Sequence, residues 1–128
     1  MMPQQELFTA CLLALKEKYP GQVYDTVLPP PDTPYPFIYL SRSSTANLQT
    51  KSGKCGTVTQ IFKVWHDDPE KRGTVSRMCQ DIEETAGSIK ETGPFSWSVR
   101  DITTEIEADT TVTPPLLMGT VTCRLQFS

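Results

Sequence analysis

The 128-residue sequence contains one histidine, His66, and its four cysteines form no C-x-x-C pair. Cys11, Cys55, Cys79 and Cys123 lie 24 to 44 residues apart, and no second histidine is present to complete a metal site. A zinc site needs three or four closely arranged ligands, and a nucleophile activated by a base would depend on His66 alone. The sequence therefore predicts no metal site, no cofactor and no catalytic centre, and we do not expect an enzyme.

Long apolar runs are also missing. No stretch of about 18 apolar residues occurs, so no helix is expected to span a membrane. The run from Leu7 to Leu15 follows Glu6 and has no Lys or Arg before it, unlike a signal sequence. The sequence therefore predicts a chain made in the cytosol, where cysteines stay reduced. Cys55 is expected to be the one thiol exposed in a loop.

Two segments have helical periodicity. Between Gln4 and Lys18 apolar side chains recur every three or four residues, and Tyr19-Pro20-Gly21 ends the segment. We expect the second helix to begin at Pro69, with an aspartate just before it as N-cap. Its apolar stripe is the more regular of the two and consists of Val75, Met78, Cys79, Ile82, Ala86 and Ile89.

Strand character is found in segments 23–27, 37–42, 57–65, 95–106 and 117–127. Segment 57–65 is apolar or β-branched on both faces and is predicted to be an interior strand, and segment 95–106 is predicted to contain a bulge or bend. The order α-β-β-β-α-β-β predicts one α+β domain over residues 1–128. We expect two layers, a mainly antiparallel sheet of about five strands with both helices on one face.

Two further segments are predicted to connect these elements. Residues 28–36 are rich in proline and are expected to form a stiff, extended connector. Residues 41–56 have Leu48 as their only large apolar side chain and are predicted to form a long, mobile, basic loop or hairpin tip. Long loops inside compact domains usually have a function.

Charge is unevenly distributed along the chain. The net charge is −3, so the protein lacks the excess of basic residues that is typical of nucleic-acid-binding proteins. We therefore expect no sequence-specific contact with nucleic acid. No acid lies between Asp32 and Asp67, whereas eleven acids and five bases lie from Asp67 to Asp109. This pattern is typical of a solvated loop beside a solvated helix. It equally favours a surface with a basic and an acidic edge, suited to charged partners or to head-to-tail self-association.

The order of several short motifs resembles that of a known family. Tyr24-Asp25-Thr26-Val27-Leu28-Pro29 precedes the proline-rich connector, Pro34-Tyr35-Pro36-Phe37-Ile38-Tyr39-Leu40 follows, and a later strand ends at Val64-Trp65. With the amphipathic helix and two strands after them, these motifs make the chain similar to the small tail-terminator proteins of long-tailed bacteriophages. These are also called tail-completion or head–tail joining proteins. The resemblance covers nearly the whole chain in its order of elements.

The resemblance implies a structural protein of the virion, located at the tail–head junction and made in the cytoplasm of the host bacterium. Such proteins form a ring, here expected to be a hexamer, which ends polymerisation of the tail tube. The implied partners are further copies of this chain, the major tail tube protein and a head-completion or neck protein, and no membrane. The candidate contacts with the tube or the neighbouring subunit are Arg42, Lys51, Lys54 and Lys63.

Two alternatives stay open on the sequence. In the first, the protein is another component of the neck, a stopper on the connector side. In the second it would be a small non-catalytic domain that binds a ligand between helix and sheet, around Trp65 and Trp97.

Overall fold

A computed structural model describes residues 2–25, 29, 32–50 and 53–128, with backbone only at 48–50 and 53–54. In these residues it contains two helices and six strands. The helices are α1 (Pro3–Lys18) and α2 (Arg72–Ser88). The strands are β1 (Val23–Asp25), β2 (Phe37–Thr50), β3 (Gly53–His66), β4 (Glu91–Thr92), β5 (Phe95–Asp109) and β6 (Leu116–Phe127).

The six strands form one mixed sheet in the order β1-β2-β3-β6-β5-β4. Strand β1 runs parallel to β2, and every other neighbouring pair is antiparallel. The predicted α+β class and the mainly antiparallel sheet are confirmed, with six strands where about five were expected. The sixth is the two-residue β4, which is too short to leave a periodic pattern. Strand β3 lies between β2 and β6, so the predicted interior position is also confirmed.

One face of the sheet packs against both helices and forms the core. Alternate residues of β6 from Leu117 to Phe127 are buried there, as their strict alternation predicts. The predicted helical stripes are confirmed as well, because α1 buries Leu7, Cys11 and Leu15, and α2 buries Val75, Met78, Cys79, Ile82 and Ala86. Each large aliphatic side chain buried in this way contributes about 1.5–3 kcal/mol to folding.

Helix α2 lies very close to β6 at Gly119. A Cβ atom at this glycine would lie 2.6 Å from Cys79 Sγ and 2.9 Å from Val75 Cγ1. Both distances are too short for a real side chain, so only glycine lets the helix and strand lie this close. The packing of α2 on the centre of the sheet therefore depends on this residue.

Helix α2 begins at Arg72, so the predicted start at Pro69 is wrong. Asp68 does not cap the helix. Its Oδ1 accepts a hydrogen bond from the Glu70 N–H at 2.9 Å, and its carbonyl accepts one from the Lys71 N–H at 3.1 Å. An aspartate that bonds the backbone two residues ahead makes a local turn, and here that turn precedes the helix.

Residues 41–50 and 53–56 belong to strands, so of the two predictions for 41–56 the long loop is wrong there and the hairpin is confirmed. Strands β2 and β3 pair from Phe37↔Trp65 to Thr50↔Gly53 as one long hairpin. Residues 51 and 52 lie outside the described residues. Cys55 is half-buried in β3 and is not a loop residue. These polar residues form strands because they pair with neighbouring strands, which local sequence does not reveal.

A bulge between Leu40 and Ser43 interrupts the pairing of β2 with β3. Opposite it, Gln60 is only 1% exposed. Its Nε2 donates to the Ile61 carbonyl at 3.0 Å and to the Arg42 carbonyl at 3.4 Å, and its Oε1 accepts from the Ser43 hydroxyl. The buried amide thus forms hydrogen bonds with polar groups at the bulge, where the regular pairing between the strands is interrupted. A second bulge, between Val99 and Asp101 in β5, confirms the predicted bulge.

Candidate assembly surface

The sheet face turned away from the helices, here called the open face, carries threonines and charged residues. None of the described helices packs on it. The strand register places on this face Thr57, Thr59, Ile61, Lys63 and Trp65 of β3, Thr120, Thr122 and Arg124 of β6, and Thr103, Glu105 and Glu107 of β5. All of these side chains are half-buried or exposed, as residues of an uncovered sheet face are.

Aromatic residues cover one end of the open face. The Phe37 ring lies 5.7 Å from the Tyr24 ring in an edge-on arrangement and 5.3 Å from the Tyr35 ring. Phe37 also pairs with Trp65 across the strands, and its side chain is only 6% exposed. The Pro-Tyr-Pro segment before β2 therefore folds back over this end, and the polar remainder of the face stays accessible.

A shallow concavity of about 260 Å³ lies near the other end of the open face. Arg124 Nη1 donates to Asp101 Oδ2 across β6 and β5 at 2.9 Å, and both side chains are 43% exposed. Since both ions remain in contact with water, this pair contributes at most about 1 kcal/mol. The concavity is lined by Ser44, Thr45, Ala46, Thr57, Thr59, Arg100 and Arg124.

Among the residues that the structure describes, both long outer strands have a stretch with no neighbouring strand. Strand β1 pairs with β2 only at residues 38–40, and no other described strand pairs with the outer side of 41–50. Strand β4 pairs with β5 only at Phe95 and Ser96, and the Trp97 N–H donates to the Lys90 carbonyl at 2.8 Å. Beyond this, residues 98–109 have no described neighbour on their outer side. We call these segments the β2 edge (41–50) and the β5 edge (98–109).

The structure does not gather the four candidate bases into one cluster. Arg42 is exposed at the β2 bulge, and Lys63 is half-buried on the open face beside Tyr39 and Thr120. Lys54, of which only the backbone is described, pairs with Gln49 at the far end of the hairpin. Nine residues of strand, about 30 Å, separate it from Lys63. Lys51 lies outside the described residues.

The uneven charge of the sequence becomes a separation across the sheet. Arg42 and Lys63 lie on β2 and β3, whereas Glu105, Glu107 and Asp109 lie on β5 at the other side, which also carries Arg100. The Thr111 hydroxyl and N–H donate to Asp109 Oδ1 at 2.5 and 3.0 Å. These bonds, the hydroxyl's first, lower the pKa of the Asp109 carboxyl, which favours its ionised form.

Trp65 and Trp97 lie on opposite faces of the sheet, so the predicted ligand site around both of them is wrong. Trp65 is on the open face, whereas Trp97 is buried on the helix side with its ring 5.6 Å from that of Phe127. Its Nε1 donates a hydrogen bond to Thr92 Oγ1 at 2.6 Å, so the indole N–H has an acceptor inside the core. Sequence alternation places both residues on strands but does not relate the faces of different strands.

His66 is the last residue of β3, just before a turn, and has local partners. Its Nδ1 accepts the Asp68 N–H at 3.2 Å and lies 3.2 Å from Asp67 Oδ1. The described residues contain no group of three His, Cys, Asp or Glu side chains that could hold a metal ion.

All four cysteines are free thiols, and three of them belong to the core, as predicted. Burial raises the pKa of Cys11 and of Cys123 to about 12 and that of Cys79 to about 11. Because the thiolate is the reactive form, these three are chemically inert in the folded protein. They act as small apolar side chains between helices and sheet.

Comparison with solved structures finds this fold in a chain of known structure. A chain from the virion of a native gene transfer agent particle superposes with a TM-score of 0.67, covering 98% of this chain and 93% of that one. The two chains share a fold. Their sequences are 16% identical. No family model matches the sequence, and no curated protein matches it. Within the described residues no helix is long and apolar enough to cross a membrane.

Proposed function

We propose that this protein is a structural component of a phage-like virion. The observation that carries the proposal is the shared fold with a virion chain over nearly the full length of both molecules. Because almost no residues at either end of the two chains are left unmatched, we infer that the whole domain has a similar structural role in both. The exposed strand edges and separated charges also suit a protein that works by contact with other proteins.

Within the virion, we propose that the protein caps the tail tube and joins the tail to the head. The motifs that resemble tail-terminator proteins support this role. The Val64-Trp65 motif lies just before the last residue of β3, and the aromatic motif before and within β2 covers one end of the open face. The proposed partners are other copies of this chain in a ring of six, the major tail tube protein and a head-completion or neck protein.

The β2–β3 hairpin supplies the contact with the tube in this proposal. Its pairing with β6 ends at Gly56↔Phe127, so the backbone of Gly53 and Lys54 lies beyond the end of β6. A basic end that projects from the sheet is suited to an acidic surface on the last layer of a tube. The opposite end of the sheet, near Phe37 and Trp65, would then point toward the neck.

Tube assembly in the presence of this protein tests the role. Purified tail tube protein is polymerised with increasing amounts of this chain, and tube lengths are measured by electron microscopy. We expect shorter tubes with wild-type protein and a loss of capping when Lys51→Glu and Lys54→Glu are combined. The matched control combines Lys71→Glu and Lys90→Glu, which make the same charge change at exposed positions elsewhere.

Unchanged tube lengths and unchanged infectivity with the Lys51→Glu, Lys54→Glu protein would argue against this contact. If tubes keep growing when the wild-type protein is present, the capping role itself is excluded. Binding to the portal side without any effect on tubes would assign the protein to the connector side of the neck.

A further inference from the structure

We propose that the concavity on the open face is a docking site for acidic side chains of a partner protein. Its two arginines, Arg100 and Arg124, bind the carboxylates, and neighbouring hydroxyl groups add hydrogen bonds. The site is separate from the basic end of the hairpin, because its arginines lie on β5 and β6. It does not depend on the role in the virion proposed above.

The bulge in β5 brings a second arginine to the open face. The pairing of β5 with β6 shifts between Val99 and Asp101, so Arg100 is the extra residue. In a regular strand, successive side chains point to opposite faces, and Arg100 and Asp101 could not share one. A bulge instead sets two successive residues opposite one partner, here Arg124. Arg100 accordingly lines the concavity together with Arg124.

The positive charge of the concavity is only partly neutralised within the chain. Of the described residues that line it, two are arginines and none is acidic. Arg124 uses Nη1 for its ion pair with Asp101, whereas the exposed Arg100 takes part in no ion pair with the residues that the structure describes. A guanidinium presents five N–H donors in a planar fork that matches the two oxygens of a carboxylate. The site therefore has more donors than the chain itself uses.

Uncharged donors lie beside the two arginines. Ser44, Thr59 and Arg124 form one row across β2, β3 and β6, and Thr57 lies two residues from Thr59 on the same face. In the described part of the chain, the hydroxyls of Ser44, Thr57 and Thr59 take part in no hydrogen bond. All three side chains are half-buried or exposed. Since a hydroxyl donates well to a carboxylate oxygen, these groups extend the site beyond the guanidinium groups.

The size of the concavity favours side chains of a larger partner over a free small molecule. Sites for small molecules usually have about 300–1,000 Å³ and enclose most of the ligand. This concavity is smaller, at about 260 Å³, and lies on an uncovered sheet face. It can therefore accept one or two side chains that project from a partner, while the surrounding face contacts the rest of that partner.

The surroundings of the two arginines favour a protein over a nucleic acid. Asp101 borders the concavity, and Glu105 lies four residues along β5 on the same face, about 13 Å away. These acids repel a continuous polyanion but leave room for a single acidic side chain. The aromatic residue of β3 on this face, Trp65, lies six residues from Thr59, about 20 Å, so bases would find no ring to stack on near the arginines.

Titration with an acidic peptide tests the site. The isotope-labelled full chain is followed by NMR at low salt while a capped seven-residue peptide with two glutamates is added, and the same peptide with two glutamines is the control ligand. We expect binding in the range of about 1 mM, with shifts of the Thr57, Thr59 and Arg124 signals. Arg100→Gln and Arg124→Gln should each weaken binding about tenfold. Arg72→Gln, at an exposed position of α2, is the matched control and should have no effect.

Removal of the internal carboxylate should have the opposite effect. Asp101→Asn frees Arg124 and takes a negative charge from the border of the site, so we expect the acidic peptide to bind about two- to fivefold more tightly. Glu84→Gln makes the same charge change on the exposed side of α2 and should leave the affinity unchanged. A gain in affinity cannot come from damage to the fold, and circular dichroism checks that all variants are folded.

Three results would overturn the proposal. The first is an absence of shifts in wild-type protein up to about 10 mM acidic peptide. The second is equal binding of the glutamine peptide, or an Asp101→Asn protein that binds the acidic peptide more weakly than wild type. The third is tighter binding of a thymidine octanucleotide or of inorganic phosphate than of the acidic peptide, which would assign the arginines to a nucleic acid or to a free anion.

Discussion

The hydroxyl of Tyr19 donates a hydrogen bond to Asp81, which joins the end of α1 to the middle of α2. Lys18 Nζ lies 3.4 Å from the other carboxylate oxygen of Asp81, and its side chain is 46% exposed. The hydrogen bond spans 62 residues of sequence and, with the Lys18 ion pair, links the two helices outside the core. It therefore helps to hold α1 against α2.

The Tyr19–Asp81 bond predicts a loss of stability in alkali. Burial, then the hydrogen bond to Asp81 and its negative charge, raise the pKa of Tyr19 above the usual value near 10. A raised folded-state pKa means that the contribution to stability is complete below about pH 10 and is lost as the pH rises through the folded-state pKa. Urea unfolding between pH 8 and 12 should show this fall.

Replacing the hydroxyl should remove that part of the pH dependence. We expect Tyr19→Phe to lower the free energy of unfolding by about 1 kcal/mol at pH 8 and to flatten its decline above pH 10. Tyr24→Phe is the control, because the Tyr24 hydroxyl makes only a 3.3 Å bond to the Gly21 carbonyl at the surface. Equal alkaline slopes for wild type and Tyr19→Phe would contradict the assignment.

Gly119→Ala is expected to destabilise the protein by about 1–3 kcal/mol, because the new methyl group meets Cys79 Sγ and Val75 Cγ1 at short distance. Cys79→Ala in the same chain should recover part of the loss by making room. Gly73→Ala, in α2 with no atom near the new methyl group, should instead stabilise the helix slightly. Denaturant unfolding measures all three. A Gly119→Ala protein as stable as wild type would show that α2 does not depend on this close approach.

Gln60→Leu should cost about 1–3 kcal/mol although it makes a core position apolar. The change removes the partner of Ser43 and of the Arg42 carbonyl at the bulge, and unpaired buried polar groups are costly. Gln126→Leu on the neighbouring strand is exposed and should change stability by less than about 0.5 kcal/mol. Thermal unfolding of the two variants gives the comparison, and equal midpoints would mean that the amide does not hold the bulge.

Thiol labelling should separate Cys55 from the other cysteines. Cys55 is half-buried in β3, whereas Cys11, Cys79 and Cys123 are buried and stay protonated at neutral pH. We expect one thiol to react in the native protein and three more only after unfolding, followed by mass spectrometry. The Cys55→Ser variant is the control and should show no early reaction. Fast labelling of more than one site would mean that the helix layer opens readily.

The helices and the last strand could be predicted because their burial is local and periodic. Apolar spacing in α2 and alternation in β6 both report one buried face, and the bulge in β5 was visible as a change of that alternation between Val99 and Ile102. The hairpin from Phe37 to His66 was underestimated for the opposite reason. Its outer half is polar, and it becomes strand through pairing with distant residues such as those of β6.

The assembly surface was only partly accessible from sequence. The separation of bases from acids could be read along the chain, but the placement of β6 between β3 and β5 could not. That insertion moves the acidic strand to the far edge of the sheet, which makes Arg42 and Glu105 members of opposite edges. The pair Arg124 and Asp101 was likewise missed, because 23 residues separate them and only the strand register brings them together.

The contact of Phe127 with Gly56 has a consequence for variation in the hairpin. A Cβ atom at Gly56 would lie 2.4 Å from the Ala46 carbonyl oxygen and 2.9 Å from the Phe127 ring, so this level of the sheet is tightly fixed. The close packing at this level holds β2, β3 and β6 together. Beyond this level the hairpin extends past the last paired residue of β6. Residues can be added or removed there in facing pairs while the alternation of faces is kept. The reach of the hairpin can therefore be adjusted to a partner independently of the stability of the domain.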